Sequence, residues 1–258
     1  TAETSCKSFH GINDVLSPKN PKSKWNNKNL IVTCGNCHKD ASEHYLTSNH
    51  AEAFKSGDKS APNCITCHKS PITKNAYGDN KVEMKKAQEK LCLSCHMDNK
   101  DVRERTTPSA GFIHAYDKSV HGYALNIKNN GEAAGCTDCH TSHSIIKGSD
   151  SRSSVFKLNI PNTCGKCHSD IQKEFSESIH GQLVAKGNGD APSCTNCHGE
   201  HNILNIKDPN APVAFQNVSS QVCSPCHESM KLSEKYGLAA NRYKTFSTSY
   251  HGLALSGG

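Results

Sequence analysis

The chain has 258 residues, only 34% of them hydrophobic, and its mean hydropathy is −0.67. A chain of this length can form one large domain or two ordinary ones. So polar a chain cannot offset the entropy of folding with apolar side chains alone. This leaves either a disordered chain or a core filled by something other than side chains, and fifteen Cys and sixteen His favour the second.

Residues 1–33 precede the first repeated motif and are interpreted as an N-terminal arm. Cys6 belongs to no motif, because Cys-Lys-Ser-Phe-His is one residue too long, and we interpret it as a free or incidentally paired thiol. No stretch approaches the roughly 20 apolar residues that span a bilayer. We expect any secretory signal to have been removed from this sequence, so its absence does not identify the compartment.

Fourteen of the fifteen cysteines lie in seven copies of C-x-x-C-H. Two thiols at this spacing add across the vinyl groups of haem, and the adjacent His becomes the proximal iron ligand. A disulfide framework or zinc sites would not require a His directly after every second Cys. The attachment cysteines are Cys34, Cys37, Cys64, Cys67, Cys92, Cys95, Cys136, Cys139, Cys164, Cys167, Cys194, Cys197, Cys223 and Cys226. The proximal histidines are His38, His68, His96, His140, His168, His198 and His227. The sequence therefore predicts seven covalently bound haem c groups, which also supply the missing apolar core.

The motifs repeat with a long period. From Cys34 to Cys164 is 130 residues, as is Cys64 to Cys194, and "SAPNCITCH" answers "DAPSCTNCH". We therefore predict two tandem superrepeats built from two-haem modules: residues 34–163 with four haems, and residues 164–258 with three. Each module reads C-x-x-C-H, a helical arm, Ser-x-His, a Gly-rich loop and a second C-x-x-C-H.

The pattern between the motifs indicates a mainly α fold with extensive coil and few or no strands. Ile171, Phe175 and Ile179 recur every four residues, and a helical arm is predicted to end at Gly181. A second helix is predicted over residues 81–93. Residues 203–218, with two prolines, are predicted to be coil.

Histidines outside the motifs are the candidate distal iron ligands: His10, His44, His50, His114, His121, His143, His180, His201 and His251. Met97 directly follows a proximal His and cannot reach the opposite face of that haem. Bis-His coordination is therefore expected.

His50, His121 and His180 each follow a helical arm, which as a straight helix would carry them too far from the haem preceding it. We expect each to serve the haem whose motif begins 14 or 15 residues later. His143 and His201 stand three residues after a proximal His, so each is expected to serve a neighbouring haem.

Four candidates lack such an assignment. His10 copies the Ser-x-His pattern but has no motif at the matching distance, while His44 and His114 have no counterpart in the other superrepeat. His251 ends a Ser-x-His pattern, and we expect an eighth haem site to follow it in a longer parent chain. If there is none, His251 must serve one of the seven haems.

The haem count changes the charge that a partner would meet. The formal charge of +6 becomes about −1 with seven ferric haems and about −8 with seven ferrous ones, because each haem adds two propionates. This does not favour a nucleic-acid partner. The lysines of the N-terminal arm are interpreted as solvated or as steering an acidic redox partner.

The haem motifs, the C-x-x-C-H-x-x-H steps and the Ser-x-His-Gly arms resemble the periplasmic multihaem c-type cytochromes with doubled haem motifs, with cytochrome c3/c7-like haem modules. Such domains occur in metal- and sulfur-metabolising bacteria, and the resemblance covers about residues 34–258. It implies haem attachment outside the cytoplasm, in the periplasm or associated with the membrane through a parent-chain segment. It also implies redox protein partners, a membrane quinol-oxidising cytochrome or an extracellular metal or mineral acceptor.

Three functions are compatible with these observations. The first is electron transfer in anaerobic respiration, with no catalytic residue. The second is a reductase of the nitrite, hydroxylamine or tetrathionate type with one open haem, on Cys34 or Cys223; the lack of a C-x-x-C-K motif weighs against it. The third is a subunit of a haem-wire filament.

Overall fold

The computed structural model describes residues 15–69, 72–106, 111–239 and 241–257. This part of the chain is helical with extensive turns and contains no strand, which confirms the mainly α prediction. The α-helices, in chain order, are α1 (Leu30–Gly35), α2 (Lys39–Leu46), α3 (Asn49–Lys55), α4 (Cys64–His68), α5 (Lys74–Tyr77), α6 (Lys81–His96), α7 (Lys100–Thr106), α8 (Gly111–Lys118), α9 (Val120–Asn126), α10 (Cys136–His140), α11 (Ile160–Gly165), α12 (Ser169–Glu177), α13 (Ile179–Ala185), α14 (Cys194–His198), α15 (Ser224–His227), α16 (Met230–Tyr236), α17 (Arg242–Ser247) and α18 (Tyr250–Gly257). A π-helix, Val218–Cys223, directly precedes α15. None of the helices in these ranges has the length and apolar character needed to cross a bilayer.

The chain forms two compact units that interleave in sequence. The first unit comprises the described residues of 1–110 and 129–156, and the second those of 111–128 and 157–258. Four C-x-x-C-H motifs lie in the first unit and three in the second. The superrepeats 34–163 and 164–258 stay a prediction, because a compact unit does not have to coincide with a sequence repeat.

Three segments form ladders of consecutive turns, in which every third N–H bonds to the carbonyl three residues earlier. These turn ladders cover residues 17–29, 147–156 and 205–217. Asn side chains brace two of them: Asn29 Nδ2 donates to Pro21 O and Asn217 Nδ2 to Pro209 O. The stretch predicted to be coil, 203–218, is therefore regular over most of its length.

The π-helix accounts for an extra residue before the last motif. Asn159 is the N-cap of α11, five residues before Cys164, and Asn217 is the N-cap of the π-helix, six residues before Cys223. A π-helical turn accommodates one residue more than an α-helical turn. The spacing of the motifs thus changes by one residue without disturbing the turn ladder.

Side chains alone form little core in the described part of the chain. The largest fully buried side chains are Leu30, Leu125 and three serines, of which Ser153 donates to the carbonyl of Ile146. Large apolar side chains such as Ile127 and Ile179 remain more than 60% exposed. Packing of this kind leaves apolar surface for a bound group to cover.

The helical arms differ from the predicted straight helices. The arm before His180 is broken at Ser178, whose backbone is extended (φ −72°, ψ 158°), so α12 ends at Glu177 and α13 begins at Ile179. The prediction that this helix ends at Gly181 is therefore wrong, because Gly181 lies inside α13. A Cβ on Gly181 would meet the carbonyl oxygen of Phe175 at 1.9 Å. The lack of a side chain thus lets the two helices cross closely.

The helix predicted over residues 81–93 is present and extends to His96 as α6. Asn80 caps it by accepting the N–H of Glu83. Lys85 on this helix bonds Asp138 of α10 at 2.9 Å and donates to Ala133 O. These bonds fix the third C-x-x-C-H motif against the fourth.

Candidate haem-binding sites

Three of the seven motifs are short helices, α4, α10 and α14, with the same N-terminal cap. In each, the residue before the second Cys accepts the N–H of the residue before the first Cys. Thr66 Oγ1 does so for Asn63, Asp138 Oδ2 for Gly135, and Asn196 Oδ1 for Ser193. The side chains inside these motifs therefore hold the two thiols on one short helix.

Two other motifs span the junction between two helices. Cys34 lies in α1 and His38 is the N-cap of α2, with φ −108° and ψ 58°. Cys164 lies in α11 and His168 is the N-cap of α12, with nearly the same angles. The third motif instead ends the long helix α6 at His96.

Within each unit, consecutive motifs lie next to one another. In the first unit, the Cys34 and Cys64 thiols are close neighbours, and so are those of Cys92 and Cys136; burial followed by Cys64 raises the pKa of Cys34 to about 11. In the second, the neighbouring Cys164 thiol lowers the pKa of Cys194 to about 7.

The second and third motifs of the first unit are also neighbours, because Cys92 contributes, after burial, to raising the pKa of Cys67. Cys223 has the same effect on Cys197 in the second unit. The order along the chain is thus also the spatial order within each unit.

Four of the seven proximal histidines each face a second histidine. The pairs, with the separation of their ring centroids, are His50–His96 at 6.1 Å, His68–His143 at 6.1 Å, His121–His168 at 6.2 Å and His180–His227 at 6.2 Å.

These separations match axial coordination of one iron. Two metal–imidazole bonds of about 2 Å place the coordinating nitrogens about 4 Å apart, and adding about 1 Å on each side to the ring centres gives about 6 Å between centroids. The separation varies by only 0.1 Å, whereas the interplanar angle runs from 21° to 50°. Aromatic packing would fix the angle as well. Axial coordination fixes the distance and leaves the angle free.

The paired imidazoles lie in surroundings that favour the neutral ring. Burial, followed by the nearby His96, lowers the pKa of His50 to about 4. Burial is also the first cause of the lowered pKa of His121 and of His180, with the facing proximal His second in both. A neutral imidazole is the form that binds a metal.

The structure corrects three expected pairings. His180 faces His227, not His198 of the motif that begins 14 residues after it. His50 likewise faces His96 rather than His68, and His121 faces His168 rather than His140. The physical reason is the break at the serine two residues before each of these histidines, which turns the second helix of the arm toward the motif after next.

The other candidates occupy different surroundings. His143 faces His68, a proximal His of another motif, and His44 and His38 also contribute, after burial and His68, to lowering its pKa. His44, His114 and His251 are exposed, and His251 lies against the ring of Tyr250. Burial lowers the pKa of His201. His44, His114, His201 and His251 stay predicted ligands, and His10 and Cys6 lie outside the described residues.

The residues present fit covalently bound haem on three independent observations. A cysteine pair precedes each proximal His, four pairs of facing histidines have the separation of two axial ligands, and apolar side chains that a macrocycle could cover stay exposed.

Comparison with known proteins agrees with this fit. Residues 50–101 match the family described as "Doubled CXXCH motif". This stretch contains His50, the second and third motifs, and therefore the whole facing pair His50–His96. No curated protein and no solved structure matches the chain significantly.

The class of protein follows from the motifs, the fold and this match together. The chain has the features of a multihaem c-type cytochrome that binds haem c covalently, and the doubled motif supports a role in electron transfer.

Proposed function

We propose that this chain transfers electrons through seven covalently bound c-type haems, most of them with two axial histidines, in anaerobic respiration. Haem iron supplies one-electron chemistry between its ferric and ferrous states. The observation that carries the proposal is the set of four facing histidine pairs at 6.1–6.2 Å. A second histidine opposite the proximal one blocks the position that a substrate would need.

The arrangement of the motifs supports transfer along the chain. Electrostatic effects between thiols place consecutive motifs near one another, for the first four motifs in the first unit and the last three in the second. Electron tunnelling falls steeply with distance, so neighbouring attachment points favour rapid exchange between neighbouring groups. The protein's own contribution is to hold these attachment points and axial ligands in fixed positions.

The proposal includes a location and partners. Haem c is attached outside the cytoplasm in bacteria, so we place the protein in the periplasm or at another extracytoplasmic site. The donor and acceptor are proposed to be redox proteins, a quinol-oxidising membrane cytochrome or an extracellular metal or mineral. Redox-active small molecules are not proposed as substrates for catalysis.

The test is to produce the chain with a cytochrome c maturation system and to measure haem content and coordination. A haemochrome assay should give seven haems per chain, and the ferric EPR spectrum should be dominated by low-spin bis-His signals. Reduction and reoxidation should be reversible in a potentiometric titration. Fewer haems would contradict the count, and a large high-spin signal with turnover of nitrite or hydroxylamine would favour a reductase.

A further inference from the structure

We propose that a serine two residues before the distal histidine positions that imidazole for the iron, and that Ser48, Ser119 and Ser178 are positioning residues. The proposal rests on the proposed function, because it assigns His50, His121 and His180 as distal ligands. The proposal concerns how the backbone before each of these histidines orients its imidazole.

The same pair of hydrogen bonds is present at each of the three serines. Each hydroxyl donates to the carbonyl three residues earlier at 2.6 Å, namely that of Tyr45, Tyr116 or Phe175. It also accepts the N–H three residues later, that of Ala51, Gly122 or Gly181, at 3.0–3.1 Å. Each hydroxyl therefore links the helix before it to the helix after it.

These bonds determine where the histidine points. The serine is extended, with ψ between 156° and 164°, and acts as the N-cap of the next helix, so the histidine is the second residue of that helix. An N-cap oxygen satisfies an otherwise unpaired N–H in the first turn. Here that N–H belongs to the residue after the ligand, so the bond fixes the backbone on both sides of the histidine.

In two arms the backbone between the serine and the histidine has a further bond. The N–H of Asn49 donates to Ile145 O at 3.0 Å, and the N–H of Val120 to Ile203 O at 2.8 Å. Both acceptors come two residues after a histidine of a C-x-x-C-H-x-x-H step. The arm is thus held at the serine and at the next residue, directly before the ligand.

At two of the three sites, burial makes the hydroxyl hard to replace. Ser48 and Ser119 are 2% and 1% exposed, so water cannot take over the bonds of a lost hydroxyl. Replacement by alanine would leave a helix-terminal N–H without its acceptor and free the second helix to rotate. The distal imidazole, unlike the covalently anchored proximal one, would then compete less well with an external ligand.

The cap of α6 provides the control. Asn80 accepts the N–H of Glu83 at 3.2 Å, so it caps its helix as the three serines do, but the residue two positions after it is Val82 and not a histidine. Asn80→Ala therefore removes a helix cap without loosening any of the candidate distal ligands.

The experiment compares cyanide binding to the ferric, fully haem-loaded wild type, Ser178→Ala, Ser178→Thr and Asn80→Ala, with Ser119→Ala as a second site. In Ser178→Ala and Ser119→Ala, about one haem per chain should bind cyanide about fivefold more tightly, with a matching change in one low-spin EPR signal. Ser178→Thr should restore the wild-type value, since it keeps the hydroxyl, and Asn80→Ala should match wild type.

Unchanged cyanide affinity and EPR spectra in both Ser178→Ala and Ser119→Ala would overturn the positioning role. An equal effect of Asn80→Ala would also overturn it, because the loss of any cap would then suffice. Failure of the proposed function would show earlier, as a wild type without seven haems or without low-spin signals. If Ser178→Ala does not fold, Ser119→Ala decides the question at an independent site.

Discussion

His180 faces His227 with 6.2 Å between ring centroids, although the motif ending at His198 stands between them in the sequence. The same relation holds for His50 with His96 and for His121 with His168. Each of these three histidines thus faces the motif histidine 46 or 47 positions further on. The arm passes the nearer motif and brings its histidine against that of the second one.

This pairing predicts which haem loses its ligand when His180 is removed. His180→Ala should convert one haem from low-spin to high-spin, and that haem should be the one on Cys223 and Cys226. Ferric EPR of His180→Ala in a background with both of these cysteines replaced by Ser should show no added high-spin signal.

The control background replaces Cys194 and Cys197 by Ser and leaves the last motif intact. In that background His180→Ala should still produce the high-spin signal. The reverse pattern would show that His180 serves the nearer haem after all.

The sequence predicts where haem is attached and which histidines are proximal, but it did not predict which histidines face one another. Seven motifs determine the covalent chemistry locally, because the two thiols and the ligand lie within five residues. The facing partner depends on how the arm is broken, and periodicity suggested an unbroken helix through Ser178. The sequence did contain a signal for the break. An aromatic residue stands three positions before the serine, and a His-Gly pair begins two positions after it, as in Phe175-x-x-Ser178-x-His180-Gly181.

The turn ladders were missed for a different reason. Residues 205–217 contain prolines and show neither the hydrophobic period of a helix nor that of a strand, so their sequence predicts coil. Their regularity has a period of three residues and depends on buried small side chains such as Ala211 and Ala214, which are 0% and 2% exposed. In this ladder the buried side chains lie three residues apart, but they are alanines, which contribute too little hydrophobicity to produce a visible pattern.

Changing one distal ligand should change one reduction potential. His50→Met would replace one of the two axial histidines of a haem with methionine, which should raise the reduction potential of that haem by on the order of 100 mV. A potentiometric titration should show one of seven components moving upward. Lys81→Met, which places a methionine at an exposed position of α6 that carries no candidate ligand, is the control and should leave the titration curve as in wild type. A curve for His50→Met that overlays wild type would exclude His50 as a ligand.

The close crossing at Gly181 should be intolerant of a side chain. Gly181→Ala places a Cβ 1.9 Å from the Phe175 carbonyl oxygen, so α12 and α13 must move apart. We expect a loss of about 1–3 kcal/mol in the free energy of unfolding, seen as a lower melting temperature by circular dichroism. Gly189→Ala is the control, because a Cβ there meets nothing within 4 Å. In the arm that carries His50, the equivalent position is already an alanine, Ala51. Equal melting temperatures of Gly181→Ala and Gly189→Ala would therefore mean that the arm of His180 can relax to accommodate a Cβ in the same way.

Two lysines on α6 should differ in their contribution to stability. Lys85, 12% exposed, bonds both Asp138 at 2.9 Å and Ala133 O at 2.7 Å, whereas Lys81, 54% exposed, pairs with Glu132, which is 77% exposed. Lys85→Met should lower the free energy of unfolding by about 1–2 kcal/mol, because it removes a charged donor from partners on the fourth motif. Lys81→Met should melt as the wild type does, since solvent screens an exposed pair.

The same pair of variants tests whether α6 orders the fourth motif. Asp138 accepts the N–H of Gly135 directly before Cys136, and Lys85 holds that carboxylate in place. In Lys85→Met the haem content should remain seven, because attachment precedes final packing. The melting temperature of Lys85→Met should be lowered by the same amount whether unfolding is followed by haem absorbance or by circular dichroism. If only the Lys81→Met protein were destabilised, the bonds from Lys85 would not be what ties α6 to the fourth motif.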